Sequence, residues 1–88
     1  MFEWDEDKRQ INIGKHGIDF LQAKEIWQHP VLEMRSKQDH GEDRYIAIGK
    51  TEGVTIAVVY TWRGKARRLI SARKARKNEE KTYENAVR

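Results

Sequence analysis

The chain has no cysteine among its 88 residues. Disulfides, thiolate metal sites and thiol nucleophiles are thereby excluded, and the composition suits a reducing compartment. No apolar stretch approaches the ~20 residues that cross a bilayer as a helix. Residues 1–8 lack the basic start and apolar run of a secretory signal, so a soluble, cytoplasmic protein is expected. The three histidines, His16, His29 and His40, are scattered and have no cysteine near them; no metal site is expected. A glycine-rich phosphate loop and a nucleophile elbow are missing too. Hydrophobic residues make up only 38% of the chain and charged residues 36%. That is material for one modest core, and a single domain spanning residues 1–88 is expected.

What the chain has instead is charge, unevenly placed. Residues 1–62 carry 8 basic and 11 acidic side chains, whereas residues 63–88 carry 10 basic and 3 acidic. Eight of the fifteen residues 63–77 are Lys or Arg, and none is acidic. An imbalance of this kind points to a polyanionic partner for the basic end. The plain alternative is a solvated charged surface.

Capping and periodicity predict the elements. Phe2 to Trp4 reads as a short edge strand. Asp5 can cap a first helix, with Glu6 and Asp7 in its first turn, Lys15 and His16 in its last, and Gly17 just past its end. Asp19 with Gln22 resembles a capping box opening a second helix, and the single proline, Pro30, ends the run. Strands are predicted over residues 31–35, 44–48, 54–62 and 67–72. The third is β-branched and aromatic almost throughout. Residues 36–43 read as a polar loop, residues 49–53 as a turn, and residues 63–66 as a hairpin turn. From about Lys74 onward, Ala75, Glu79, Tyr83 and Val87 recur every four residues and predict a C-terminal helix. Short connections favour an antiparallel four-stranded sheet with helices covering one face, a two-layer α+β domain.

The last strand and last helix hold the groups with chemistry. Alternation would place Arg68, Ile70 and Ala72 on one face, with Leu69, Ser71 and Arg73 on the other. Arg68 and Arg73 carry forked guanidinium groups that can grip a phosphate with two parallel hydrogen bonds, or can pair with acidic residues upstream. Glu79 and Tyr83 lie one helical turn apart. Glu79 can accept a proton or act as a strut for Arg73; Tyr83 can donate a proton or pack against the sheet. His16, beside Lys15, is a candidate acid for a leaving alkoxide, or a dipole partner at the helix end.

These residues also carry a resemblance that spans nearly the whole chain. Phe2-Glu-Trp-Asp5, Asn12 with Lys15-His-Gly17, Phe20 and Ala23, Asp43-Arg44 leading to Gly49, and Arg68-Leu-Ile-Ser-Ala-Arg-Lys-Ala75 followed by Glu79 and Tyr83 resemble the BrnT toxins of bacterial type II toxin–antitoxin systems. The chain departs from the pattern at Gly14, inside the first helix, and at Trp27-Gln-His29. The resemblance implies a RelE-like fold and RNA cleavage that inhibits translation, without a metal cofactor. It also implies a BrnA-like ribbon-helix-helix antitoxin in a heterotetramer with two copies of each chain. Operator DNA would be reached only through that antitoxin.

RNA brings its own nucleophile, the 2′-hydroxyl. On this reading Arg68 and Arg73 bind the scissile phosphate. Lys15, His16 and Glu79 are the proton-transfer candidates, with Tyr83 close behind. Arg44 completes the cradle, and Arg63, Arg67, Lys74 and Lys77 make further RNA contacts. Two rival readings stand beside it: a non-catalytic nucleic-acid-binding module using the same basic unit, and an interaction protein whose basic segment docks an acidic partner helix.

Overall fold

The computed structural model describes residues 1–36 and 41–87. Part of the expected 36–43 loop, His40 included, lies outside them. Five strands and three α-helices follow one another: β1 Phe2–Glu3, α1 Glu6–His16, α2 Phe20–Ala23, β2 Leu32–Arg35, β3 Tyr45–Thr51, β4 Val54–Arg63, β5 Ala66–Lys74 and α3 Lys77–Ala86, with a 3-10 turn over Lys24–Gln28 after α2.

The caps are those the sequence predicts for α1. Asp5 accepts from the N–H groups of Asp7 and Lys8, and Gly17 closes the helix in the left-handed region at φ 69°. Asp19 caps α2 by accepting from Leu21 N–H. The C-terminal helix begins later than its periodicity suggests. Arg73 and Lys74 still pair with Ala57 and Ile56 in the sheet, and Ala75 N–H donates to Thr55 O, so ladder bonds hold this stretch extended.

The sheet order is β1-β5-β4-β3-β2. Four strands form the expected antiparallel meander, but the sheet has five strands and is mixed. The count of four left out the predicted edge strand, which pairs parallel to β5 through Phe2↔Arg67 and Glu3↔Arg68. Gly49 lies within β3 rather than in a turn. A Cβ there would stand 2.9 Å from Ile26 Cβ and 3.1 Å from Val31 Cγ1, so its smallness lets the 3-10 turn settle on the sheet. The turn itself falls at Glu52 and Gly53, both at positive φ.

One sheet face packs on α1, α2 and the 3-10 turn. Phe20, Ile26, Ile56, Val58 and Leu69 are almost wholly removed from solvent there, and each such side chain contributes about 1.5–3 kcal/mol. The two-layer expectation, with helices on one face, is corrected here: α3 lies on the other face, where Tyr83 covers Ile48 and Ala57, because those alternate strand residues are apolar too and need a cover of their own. This helix leaves the remainder of that face open.

The alternation expected for β5 is interrupted. Val59 pairs with Ser71, whereas the next residue, Tyr60, pairs with Leu69. Ile70 is the extra residue of a β-bulge. Leu69 and Ala72 therefore both enter the helix-covered core. Arg68, Ser71 and Arg73 stand opposite Thr61, Val59 and Ala57, alternate residues of β4, and so share the other face. The expectation that Arg68 and Arg73 point to opposite faces is corrected by this one-residue slip.

Candidate active site

The open half of that face is a basin of about 500 Å³. Its floor is Ile46, Val59, Ile70 and Ser71, with Met34 beside it, and its rim is Arg35, Arg44, Arg73, Arg76 and Glu79. Four guanidinium groups from β2, the start of β3, the end of β5 and the mouth of α3 thus surround one cavity.

Arg73 is the best-placed of them. Its Nη1 and Nη2 donate to Glu79 Oε1 and Oε2 at 2.8 and 2.9 Å, and Nη1 also donates to Lys74 O at 3.3 Å. Guanidinium has five N–H donors, so these bonds leave the Nε edge of the fork to an incoming anion. Glu79 is itself fixed. Its Oε1 accepts from Arg76 N–H at 2.8 Å, the half of a capping box that an arginine at the N-cap permits. Both side chains are mostly covered, 22% and 16% exposed. The Arg73 bonds hold the Glu79 carboxyl below the usual carboxylate range, against the opposing effect of burial, and Arg76 N–H acts in the same direction. The same pair raises Arg73. Glu79 is therefore a committed anion that aims Arg73, and a poor proton acceptor.

The sign of that linkage makes a prediction. A carboxyl with a folded pKa below its unfolded value adds stability that is complete above about pH 5 and is lost as pH falls through the lowered value. The difference in urea midpoint between the protein and Glu79→Gln is expected to be constant from neutrality to about pH 5 and to shrink below that. A constant difference down to about pH 3 would contradict the assignment.

Arg44 and Arg35 enter the rim already accompanied. Arg44 Nε bonds Glu42 at 3.1 Å, and Arg35 Nη2 bonds Asp43. Exposed pairs of this kind contribute little and yield to a stronger anion. Arg76 has no ion pair among the described residues. Arg35 and Arg76 were not singled out from the sequence. The signal for Arg76 was its place three residues before Glu79; the signal for Arg35 was its place at the end of a predicted strand.

The other expected site residues divide sharply. Arg68 shares the face of Arg73 but is held by Glu3 at 2.7 Å and does not line the basin. Arg63 lies 3.7 Å from the same Glu3. Arg67 belongs to the opposite face. Its guanidinium lies 4.6 Å from the Trp62 ring and 4.8 Å from the Trp27 ring, with Glu33 at 3.5 Å. That Glu33 also accepts from Tyr60 and Trp27, and burial with the Glu33 bond pushes the Tyr60 phenol up to about 12. Arg67 is thus engaged within the protein, in an aromatic and ionic lock on the face opposite the basin. Lys74 lines a separate hollow with Lys50 and Glu80, and Lys77 is exposed in the first turn of α3. Tyr83 is buried and donates to Pro30 O at 3.0 Å, away from the basin.

Lys15 and His16, exposed at the end of α1, line a smaller hollow of about 160 Å³ with Lys8, Ile11 and Asn12. Ile70 and Ser71 form a wall of this hollow and the floor of the basin alike. The two cavities are neighbours across the bulge. Among the described residues no three His, Asp or Glu side chains group as a metal-ligand set, and no helix is long and apolar enough to cross a membrane.

Residues 4–79 match the family described as "Ribonuclease toxin, BrnT, of type II toxin-antitoxin system". Among solved structures, the crystal structure of the Brucella abortus ribonuclease toxin, BrnT, is similar, with 36% sequence identity and a TM-score of 0.69. The likeness covers 86% of this chain and 96% of that one. No curated protein matches the chain.

Proposed function

The chain belongs to the BrnT family of ribonuclease toxins of type II toxin–antitoxin systems, and on that premise we propose that it is a metal-independent endoribonuclease whose catalytic centre is the arginine-rimmed basin. The observation that carries this reading is Arg73 on the rim of the basin, gripped by Glu79 through both Nη atoms, with no bond to its Nε among the described residues. A fork held in that way can bind two phosphoryl oxygens without reorganising.

In the reaction the substrate's 2′-oxygen attacks the adjacent phosphorus. The new O2′–P bond forms as the P–O5′ bond breaks. The 2′-hydroxyl proton passes to an acceptor and the departing 5′-oxygen receives one. The products are a 2′,3′-cyclic phosphate and a 5′-hydroxyl. Arg73, with Arg44, Arg35 and Arg76, stabilises the charge that grows on the phosphoryl oxygens. Lys15 and His16, across the Ile70–Ser71 wall, are the proton-transfer groups, imidazole being suited to exchange near neutrality. Glu79 positions Arg73, and Tyr83 holds α3 on the sheet.

On this reading the fold is of the RelE-like kind, the protein acts in the cytoplasm and inhibits translation, and a BrnA-like ribbon-helix-helix antitoxin neutralises it in a two-plus-two complex. The same basin offers acidic residues of such a partner four arginines to cover.

Incubation of purified protein with an RNA oligonucleotide in excess chelator tests the enzyme. Fragments ending in a cyclic phosphate are expected, and a single 2′-deoxy substitution at the cleavage site should block them. RNA retarded but whole, at low ionic strength and with protein in excess, would leave the binding-module reading instead.

A further inference from the structure

Resting on the ribonuclease reading above, we propose that the substrate is single-stranded RNA that crosses the bulged edge of β5, with one phosphate in the arginine basin and a neighbouring phosphate held by Lys8 of α1, one helical stripe along from Lys15.

Three features converge on this track. First, the basin and the α1 hollow are two ends of one surface, because Ile70 and Ser71 line both. Second, the edge of β5 is open there. The pairing with β1 covers only Arg67 and Arg68, and beyond it the Asn12 side chain takes up the N–H and C=O of Ala72 at 3.1 and 2.9 Å. That contact pins α1 along the edge. Lys8, Ile11, Asn12 and Lys15, spaced i, i+3, i+4 and i+7, form a single stripe, so the anchoring of Asn12 holds both lysines over the crossing. Third, the charge at this end is unspent. Lys8 and Lys15 have no ion-pair partner among the described residues, whereas Arg63, Arg67 and Arg68 are taken by Glu3 and Glu33.

The shape selects the strand state. A path that passes from a sheet face over its edge to a helix turns sharply within a nucleotide or two, which a stiff duplex does not do. A single strand makes the turn, and its splayed base needs an apolar seat. Met34, Ile46, Val59 and Ile70 supply that seat in the basin, and Ile11, 65% exposed, extends apolar surface between the lysines.

The test compares the protein with Lys8→Gln on two substrates, a short RNA oligonucleotide and a dinucleotide that contains only the scissile linkage. The variant is expected to raise KM for the oligonucleotide about fivefold with kcat unchanged, and to lower the salt dependence of binding by about 0.7 in log–log slope, one phosphate contact on a single strand. The dinucleotide should be cut alike by both proteins. Pairing the oligonucleotide with its complement should slow cleavage at least ~10-fold. Equal KM values on both substrates, or a duplex cut as fast as the single strand, would overturn the track. Binding of a 2′-deoxy analogue that cannot be cleaved separates the two readings. Wild-type affinity in Lys8→Gln sinks the track, whereas weakened affinity without any cleavage of RNA by the unmodified protein sinks the ribonuclease and leaves the track.

Discussion

Replacing Arg73 with alanine is expected to slow single-turnover RNA cleavage by about 10²–10³-fold, the loss of one preorganised donor to a developing oxyanion. The expectation rests on geometry. Four cations rim the basin, but among the described residues Arg73 alone is fixed by a two-bond carboxylate contact and a backbone carbonyl. A fork so held gives its full electrostatic effect in the transition state, because nothing need be ordered at that moment. Arg73→Lys keeps the charge and loses the fork, so its rate should fall between the two. Folding should survive, since Glu79 retains its bond from Arg76 N–H; a urea melt beside each rate measurement checks this. The Glu79 variants separate aiming from proton transfer. Glu79→Gln should lower kcat about 10- to 100-fold while the acid limb of the pH–rate profile remains, because the titrating group lies elsewhere. Loss of that limb would make Glu79 the base, and a wild-type rate in Arg73→Ala would remove the basin from catalysis.

How much of this could be read in advance depends on the range of the interaction. Asp5, Gly17 and Asp19 act within a few residues, and the helices begin and end where those caps place them. The β-branched run that became β4 needed only its own composition to be seen. Long-range contacts were hidden. Nothing local marks Ile70 as a bulge, yet that residue sets which face Arg73 occupies. Gly49 looked like a turn residue because the neighbour that requires it, Ile26, lies far away in sequence. The basic segment was visible as a block, but its partition was not. Glu3, Glu33 and Glu79, two of them from the acidic part of the chain, take Arg63, Arg67, Arg68 and Arg73 one by one. Arg73 and Glu79 were visible from strand alternation and helical spacing, with a strut as one of two open roles for Glu79; the fold shows that the two side chains are bonded to each other. Charge counting alone would have assigned Arg67 to RNA, whereas two indole rings enclose it.

Asn12→Asp is expected to cost about 3–5 kcal/mol, more than other single changes to α1, because a buried acceptor would replace a donor that two carbonyls need. Asn12 was visible in the sequence only as part of the resemblance. In the fold its Nδ2 donates to Ile18 O and Ala72 O, each at 2.9 Å, while its Oδ1 accepts from Ala72 N–H at 3.1 Å. The amide thus serves as one rung of a missing strand on the open edge of β5, and it ties the turn after α1 to the sheet. A carboxylate of the same shape keeps the single acceptor contact and turns an anionic oxygen toward two carbonyl oxygens in a site only 5% exposed. A domain of this size has roughly 4–13 kcal/mol of stability in all, so the loss is a large fraction of the whole. The new carboxyl should be pushed above its unfolded pKa by burial and by the facing carbonyls. The folded state then binds the proton more tightly than the unfolded state, so stability should rise as pH falls from neutrality toward about pH 4. Asn12→Ala, which removes the contacts without adding charge, should cost about 2–3 kcal/mol and show no such pH dependence. Urea denaturation of the three proteins at a series of pH values measures both effects. An Asn12→Asp midpoint equal to that of the unmodified protein at neutral pH would mean that α1 does not depend on this amide, and the lysine stripe would lose its anchor with it.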